Sequence, residues 1–339
     1  MTNVLPLASI RCLAYNQEQY IRQCLDGFVM QQTNFPFEII VHDDASTDKT
    51  ANIIREYAEK YPNIHAILET ENQYSKHDGS LARIVNQAIQ GKYVALCEGD
   101  DYWTDPLKLQ KQVDFLEKNP EYGMVYTLSK IYNQDKNKIE ENLFGSEYRG
   151  YDDLLAYNRI STLTTCIRTK AMMEYIDDIE PQKRKWLMGD YPMWLWIGYH
   201  YKIKFFPDIT SVYRVLEESA SHSKDIEKNE KFILSTIDIT SFFIQKFNLS
   251  PTNLYYHALN EYYYALYSDY KNSGNYIKAM HYAKLINNKY TTSRIRREKR
   301  RFYRKHVKLW LQNLFSSLNY SLQKKTKELV DFIVSTNSY

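Results

Sequence analysis

Cysteine is scarce in this chain: four occur among 339 residues, and they lie far apart. Cys12, Cys24, Cys97 and Cys166 form no CxxC pair and no cluster with histidine, so the sequence predicts neither a zinc site nor a disulfide framework. Few, unpaired cysteines are typical of proteins kept in a reducing compartment. We therefore expect a cytoplasmic protein.

Long apolar runs are also missing. No run reaches the roughly 20 residues that a membrane-spanning helix needs, and the start, MTNVLPLASIRCLAYN, lacks the basic and apolar regions of a signal peptide. The chain still holds 44% hydrophobic and 25% charged residues, which suffices for a buried core under a charged surface. Its length predicts one domain with an appended region.

The first half of the chain alternates short β-rich runs with helical patterns, which predicts an α/β fold with a mostly parallel, Rossmann-like sheet flanked by helices. Helical spacing of apolar residues occupies 18–32 and 50–61. The predicted strands lie at 7–15, 37–44, 64–69 and 92–98.

Beyond residue 105 the pattern gives a helix at 105–119, a strand at 122–132, a helical stretch around 186–201 and a strand pair at 203–215. We expect this α/β domain to cover residues 1–223. From residue 224 to 339 the sequence has helical patterns only, so an all-α C-terminal region should follow.

Polar clusters follow three of the predicted strands: AYNQE at 14–18, HDDASTD at 42–48 and EGDDYW at 98–103. In an open α/β sheet, ligands bind in the crevice outside the carboxyl ends of the strands. The three clusters should therefore converge on one binding site.

The second cluster admits two interpretations. Ser46, Thr47 and Asp48 suit the start of the next helix, where they would satisfy free N–H groups and complement the helix dipole. Capping does not account for Asp43 and Asp44, which are better candidates for contacts with a base or ribose.

The third cluster places two adjacent carboxylates, Asp100 and Asp101, directly after an apolar run. Neighbouring like charges repel unless a cation lies between them. Mg²⁺ or Mn²⁺ takes one or two carboxylates and completes its coordination with phosphate oxygens and water, which suits a nucleoside diphosphate. The alternative is a solvated turn.

In this order and spacing, ASIRCLAYNQEQYI, FEIIVHDDASTDKT and EGDDYWTDPLKL resemble the family 2 glycosyltransferases of the GT-A fold. The resemblance implies that Asp101 is the metal ligand, while Asp100 lies nearer the donor ribose or sugar. The family motif is often Asp-X-Asp, where this chain has Glu98-Gly99-Asp100-Asp101. The residues that the resemblance assigns to the nucleotide-sugar pocket are Ala14, Tyr15, Asn16, Glu18, Asp43, Asp44, Asp100 and Arg214.

An inverting transfer also needs a general base for the acceptor hydroxyl. The resemblance implies that Asp190, in the stretch WLMGDYPMWLW, is this base, although on position alone a helix cap is equally good. Aromatic residues beside the carboxylates, Trp103 and Tyr191, are the candidates for contacts with the sugar or acceptor.

The stretch VYRVLEESASHSKD resembles the loop that folds over the diphosphate in some family members. Arg214 suits phosphate because of its fork geometry, and His222 is a candidate metal ligand. A histidine in a loop is more often simply solvated, and this alternative stays open for His222.

Residues 294–308 carry nine Lys or Arg and one Glu, followed by an apolar stripe of Tyr303, Val307, Trp310 and Leu314 at helical spacing. A basic amphipathic helix over 294–314 is typical of peripheral contact with an anionic membrane, here the inner face of the cytoplasmic membrane. The alternative is an exposed helix docked on its own helical hairpin. No motif or basic aromatic sheet indicates nucleic-acid binding.

The sequence thus favours a metal-dependent inverting glycosyltransferase that uses Mn²⁺ or Mg²⁺. It would move a sugar from a nucleotide donor, with UDP expected, to a glycan or lipid-linked saccharide in surface-polysaccharide synthesis. A nucleotidyltransferase would need a glycine-rich basic loop, which AYNQEQY is not. The other alternative is a catalytically silent scaffold that acts through its helical tail, against which the four aspartates Asp44, Asp100, Asp101 and Asp190 argue.

Overall fold

The computed structural model describes residues 5–216 and 225–306. It divides into two compact units, Met1–Thr252 and Asn253–Tyr339. The first unit includes a long helix, Ile226–Lys246, that the sequence analysis assigned to the C-terminal helical region. Within the described residues, no helix is both long and apolar enough to cross a bilayer.

Nine strands in the described part of the first unit join one sheet. The strands are β1 Ala8–Ala14, β2 Phe37–Asp43, β3 Ile64–Leu68, β4 Tyr93–Leu96, β5 Tyr102–Trp103, β6 Tyr122–Asn133, β7 Lys138–Phe144, β8 Cys166–Arg168 and β9 Lys202–Val215. The helices of the described residues are α1 Ile21–Val29, α2 Thr50–Lys60, α3 Ser80–Ala88, α4 Lys108–Lys118, α5 Tyr151–Ala156, α6 Thr169–Ile179, α7 Tyr191–His200, α8 Ile226–Lys246, α9 Asn253–Asn272, α10 Tyr276–Leu285 and α11 Ser293–Lys305.

The sheet runs in the order β3-β2-β1-β4-β8-β6-β9-β5, with β7 paired to β6. The half formed by β3, β2, β1 and β4 is parallel, as the alternation of strands and crossover helices predicts. The other half is mixed, because β8 runs antiparallel to both β4 and β6. The expected α/β fold is confirmed, and its parallel half brings the ends of β1, β2 and β4 together.

The strand pair predicted at 203–215 is wrong, because this stretch forms the single strand β9. Its pairing with β6 changes register between Tyr126 and Leu128, whose partners on β9 are Phe205 and Ile209. Pro207 lies in this irregular stretch, and a proline has no N–H to donate to a ladder. The proline therefore interrupts the pairing of one strand and does not mark a turn between two.

The core of the parallel half forms between the sheet and its crossover helices. Ile10 and Cys12 of β1 and Val41 of β2 are fully buried with Leu25 and Phe28 of α1. Since side chains alternate along a strand and recur every three to four residues along a helix, these positions are the apolar faces of both element types. Their packing fixes the strand ends that carry the polar clusters.

The second unit contains a helical hairpin and a basic helix. In the hairpin, α10 begins at the Asn275 cap, whose side chain accepts a hydrogen bond from the N–H of Lys278. In α11, Phe302 is buried and its ring packs edge-on against Tyr267 of α9, with centroids 5.3 Å apart. The apolar side of α11 thus covers the hairpin.

Candidate active site

The loop after β1 and the loop after β2 are joined by reciprocal hydrogen bonds. The Asn16 N–H donates to Ser46 Oγ at 2.8 Å, and the Thr47 N–H donates to Asn16 Oδ1 at 2.8 Å. Asn16 has a positive φ of 51°, which asparagine adopts more readily than most residues. The first two polar clusters therefore form one continuous wall.

The carboxylates of Glu18 and Asp48 also accept hydrogen bonds within this wall. The Glu18 N–H donates to Asp48 Oδ2 at 3.0 Å, and the Lys49 N–H donates to Glu18 Oε2 at 2.9 Å. Glu18 therefore satisfies a free N–H at the start of α2. Of the remaining predicted pocket residues here, Ala14 is buried, whereas Tyr15 is 49% exposed.

Asp43 and Asp44 are both buried and both accept hydrogen bonds from the protein. Asp43 accepts from the Ser46 hydroxyl at 2.5 Å, while Asp44 accepts from the backbone N–H groups of Gln73 at 2.6 Å and Tyr74 at 3.0 Å. These bonds shape the crevice wall and bring segment 72–74 to it. The predicted contacts with a base and ribose stay a prediction.

The acidic loop, residues 98–101, follows β4 and lies against the end of β1. The Gly99 N–H donates to the Leu13 carbonyl at 2.9 Å, and the Asp101 N–H closes a turn onto the Glu98 carbonyl at 3.1 Å. A Cβ at position 99 would lie 2.9 Å from Cδ1 of Ile21 and closer still to the Gln17 side chain. A side chain at position 99 would therefore displace the ends of the Gln17 and Ile21 side chains, whereas glycine lets the two segments approach closely.

Arg214 of β9 is buried and holds the acidic loop through hydrogen bonds. Its backbone N–H donates to Asp101 Oδ1 at 2.7 Å, and its side-chain Nε donates to the Asp100 carbonyl at 2.8 Å. The two terminal nitrogens donate to Gln134 and Gln23 at 2.6 and 2.7 Å. The guanidinium also lies near the rings of Tyr20, Tyr102 and Tyr132, at 4.7, 5.6 and 5.1 Å.

Arg214 was predicted to contact the donor, and this stays a prediction. The side chain is 7% exposed, and each of its three nitrogens donates to a protein oxygen. These bonds hold the loop, and each terminal nitrogen of a guanidinium carries a second N–H beyond the one used here. His222, the other predicted residue of this stretch, lies outside the described residues.

Within the acidic loop, burial raises the pKa of all three carboxyl groups. Burial, followed by the neighbouring charge of Asp100, raises the pKa of Glu98 to about 7. Burial and then Asp100 also raise the pKa of Asp101. Three carboxylates that resist ionisation in one short loop favour a cation beside them, because a positive charge restores the ionised form.

The two aspartates differ in burial and in their partners. Asp101 is buried and one of its oxygens accepts from the backbone N–H of Arg214, whereas Asp100 is partly exposed. The assignment of a metal ion to Asp101 stays a prediction, and Asp100 is the more accessible of the two carboxylates. Among residues 5–216 and 225–306, no group of three or more His, Cys, Asp or Glu is arranged to hold a metal. One or two carboxylates still suit Mg²⁺ or Mn²⁺ when phosphate and water supply the other ligands.

Asp190 lies at the start of α7, and both of its oxygens accept hydrogen bonds. The Tyr191 N–H donates to Oδ1 at 2.7 Å, and the Thr162 hydroxyl donates to Oδ2 at 2.9 Å. Burial raises the pKa of Asp190. The charge of Asp190 in turn contributes to the raised pKa of Glu98, which places this carboxylate near the acidic loop. Asp190 is thus both a helix cap and a carboxylate of the same site.

Trp103 and Tyr191 were predicted to contact a sugar or the acceptor, and the structure corrects both assignments. Trp103 is 2% exposed, and its indole N–H donates to the Leu163 carbonyl at 2.9 Å. Tyr191 is fully buried, and its hydroxyl donates to the Leu154 carbonyl at 2.7 Å. Both rings are core residues with no face left for a ligand.

Three residues of the site were not assigned a role from the sequence. Glu98 was visible in the quoted motif. Arg11 breaks the apolar run of β1, and its charge lowers the pKa of Glu98, opposing the effect of burial. Its Nε is buried without a hydrogen-bond partner among the described residues. Thr162, the partner of Asp190, carries no signal in the sequence.

The sequence model of the family described as Glycosyl transferase family 2 matches residues 9–178. Uncharacterized protein Rv1520 of Mycobacterium tuberculosis is 44% identical over 162 residues, which are 47% of this chain and 46% of the relative. TuaG of Bacillus subtilis, named for teichuronic acid biosynthesis, is 32% identical over 170 residues, 49% of this chain and 64% of TuaG. The matched stretch thus spans about half to two thirds of these relatives.

Two solved structures share the fold. Residues 1–349 of TarS from S. aureus, in complex with UDP-GlcNAc, superpose with a TM-score of 0.59 at 17% identity, covering 90% of this chain and 92% of that one. The mannosyltransferase PcManGT from Pyrobaculum calidifontis, in complex with GDP-Man and Mn²⁺, gives a TM-score of 0.53 at 17% identity, covering 84% and 77%. At this identity the likeness supports the fold alone.

Proposed function

Because the chain belongs to glycosyl transferase family 2, we propose that it is an inverting glycosyltransferase. In this proposal it transfers a sugar from a nucleotide-sugar donor to a glycan or lipid-linked saccharide during the synthesis of a surface polysaccharide. The observation that carries the proposal is the set of hydrogen bonds that links Asp190 to the acidic loop: Thr162 donates to Asp190, and Trp103, two residues after Asp101, donates to the carbonyl of the neighbouring Leu163. A transfer needs a base for the acceptor and a site for the leaving diphosphate, and this link supports candidates for both.

The donor lies along the wall that the first two loops build. Tyr15 offers an exposed ring there, and Asp43 and Asp44 hold the backbone that a base and ribose would meet. A UDP-sugar is the donor we favour, since TarS, which shares the fold, was solved with UDP-GlcNAc.

A divalent cation, Mn²⁺ or Mg²⁺, completes the donor site in this proposal. Asp100 would hold it, with Glu98 beside it, and donor phosphates and water would fill the remaining positions. When bound, the ion would stabilise negative charge on the departing diphosphate. PcManGT, with the same fold, was solved with Mn²⁺ and GDP-Man.

Asp190 is the general base of the proposal. Its carboxylate is fixed by two hydrogen bonds and its pKa is raised by burial, so it is a stronger base than an exposed aspartate. It would take the proton of the acceptor hydroxyl as that oxygen attacks the anomeric carbon of the sugar.

We extend the proposal to contact with an anionic membrane surface through α11. Phe302 packs on the helical hairpin, so the apolar side of α11 is docked there, as the alternative interpretation expects. Contact of α11 with a membrane would therefore depend on its basic side chains. Residues 307–314, the rest of the predicted amphipathic segment, lie outside the described residues. The exposed cations of α11 are Arg294, Arg296, Arg297, Arg300, Arg301, Arg304 and Lys305.

Calorimetric titration of UDP, GDP and CMP, each with and without Mn²⁺, tests the donor site. We expect UDP to bind the wild type with Mn²⁺, and Asp100→Ala to weaken this binding by at least tenfold. Glu141→Ala, which removes an exposed carboxylate from β7, is the control and should bind like the wild type. If no nucleotide binds with metal present, the catalytic proposal fails and a silent scaffold becomes the better explanation.

A further inference from the structure

The turn that faces Asp190 is held rigidly by two buried side chains. Residues Thr162–Thr164 form one turn of 3₁₀-helix just before β8. The Trp103 indole N–H donates to the Leu163 carbonyl at 2.9 Å, and Gln112 Nε2 donates to the Thr164 carbonyl at 2.8 Å. Since Trp103 lies two residues after Asp101, the position of this turn is tied to the position of the acidic loop.

From this turn a single hydroxyl reaches the proposed base. Thr162 Oγ1 donates to Asp190 Oδ2 at 2.9 Å, while the N–H of Tyr191 donates to the other oxygen. Two donors on two oxygens fix the plane of a carboxylate, which one donor alone leaves free to rotate. A threonine hydroxyl here also favours the ionised form of the acid, because it donates to the charge.

We propose that Thr162 is a positioning residue for the transfer reaction: its hydroxyl orients Asp190 toward the acceptor, and Trp103 fixes the hydroxyl relative to the acidic loop. This inference rests on the proposed function. It gives Trp103 a role in place of the predicted sugar contact. The chain of contacts runs from the acidic loop through Trp103 and the 3₁₀ turn to the base.

Other titratable and polar groups near Asp190 also influence its titration and must stay constant between the variants. Glu98, in the acidic loop, interacts with Asp190 through charge. Tyr175 of α6 is buried with no hydrogen-bond partner for its hydroxyl among the described residues, and burial followed by the charge of Asp190 raises its pKa. The N–H of Tyr191 in α7 is the remaining contact. None of these groups changes when Thr162 alone is replaced.

The test compares Thr162→Val, which has the same shape without the hydroxyl, with Thr162→Ser, which keeps it. With UDP-GlcNAc as donor, water as the acceptor whose proton Asp190 takes, and Mn²⁺ present, release of UDP is followed from pH 5 to 9. We expect Thr162→Val to lower kcat about tenfold, to leave KM within about twofold, and to move the acid limb of the kcat profile up by about one pH unit. Thr162→Ser should have a kcat close to that of the wild type, and the acid limb of its kcat profile should lie at the wild-type pH.

The control is Thr164→Val, which removes a hydroxyl bonded to Ser161 within the same turn, 2.6 Å from its carbonyl. It should leave the acid limb in place. An equal loss of kcat in Thr162→Ser and Thr162→Val, or an unmoved limb in Thr162→Val, would overturn the positioning role.

A second readout does not depend on turnover. The carboxyl ¹³C resonance of Asp190, assigned by its absence in Asp190→Asn, is titrated in labelled wild type and Thr162→Val. An upward move of the midpoint in Thr162→Val supports the inference, and an unchanged midpoint overturns it. If the wild type releases no UDP from UDP-GlcNAc or other UDP-sugars, the proposed function fails separately, while the titration still decides whether Thr162 acts on Asp190.

Discussion

The acidic loop should destabilise the metal-free protein above neutral pH, and Glu98 offers the means to measure it. Its pKa is raised from the usual 4.5 to about 7, first by burial and then by Asp100. Between these two values the folded protein keeps a proton that the unfolded chain has already released. Stability must therefore fall as pH rises through this window. Glu98→Gln has the same shape and no charge, so it should escape this loss.

The size of the effect follows from the displacement of the pKa. One pKa unit corresponds to about 1.4 kcal/mol, so a rise from 4.5 to about 7 gives about 3 kcal/mol, most of it between pH 5 and 8. Partial exposure of the side chain makes this an upper value. We expect the free energy of unfolding of Glu98→Gln, relative to wild type, to increase by about 2 kcal/mol from pH 5 to pH 8.

Urea unfolding of chelator-treated wild type and Glu98→Gln at pH 5, 6, 7 and 8 measures the difference directly. Glu141→Gln removes an exposed carboxylate of β7 and should show no such trend. A difference between wild type and Glu98→Gln that does not change with pH, or that decreases as pH rises, would refute the reasoning. Added Mn²⁺ with UDP should reduce the difference, because a cation beside the loop stabilises its ionised form.

Two further predictions concern Arg214 and α11. Arg214→Lys keeps a charge but cannot bond the Asp100 carbonyl and two glutamines at once, so urea unfolding should show a loss of about 2–4 kcal/mol; a loss below about 0.5 kcal/mol would contradict its bracing role. The full chain should co-sediment with vesicles containing phosphatidylglycerol but not with phosphatidylcholine alone, and replacing Arg297, Arg301 and Arg304 with Gln should weaken this at least tenfold. Sedimentation unaffected by 0.5 M salt, roughly a 4 Å Debye length, would contradict contact by charge.

The parallel half of the sheet could be predicted because each of its strands and helices is indicated by a pattern within its own short stretch of sequence. A strand buried on both faces, such as β4, reads as a continuous apolar run, and the crossover helices show their own period. The mixed half could not be predicted in the same way. Strand β8 has three residues, too few for any pattern, and its antiparallel place between β4 and β6 depends on contacts distant in sequence.

The candidate site shows the same division between chemistry and geometry. The acidic residues could be predicted from their position after strands, but the sequence does not tell which oxygen faces the crevice. Asp100 and Asp101 are neighbours of equal chemistry, and the bond from Arg214 together with the deeper burial of Asp101 distinguishes them. Arg214 was noticed as a cation, yet its partners lie about 80 to 190 residues away in sequence. Thr162 could not be identified, since its role depends on one contact across 28 residues.

The two incorrect aromatic assignments share a physical cause. A carboxylate that must stay partly buried needs a backbone that cannot relax away from its neighbours, and a large ring with one polar atom provides this. Tyr191 directly follows Asp190 and Trp103 lies two residues after Asp101, and each ring donates to a backbone carbonyl from inside the core. Their position beside the acids therefore reflects support of the acids. A ring that stacks on a ligand must instead be accessible, and Tyr15, directly after β1, is 49% exposed.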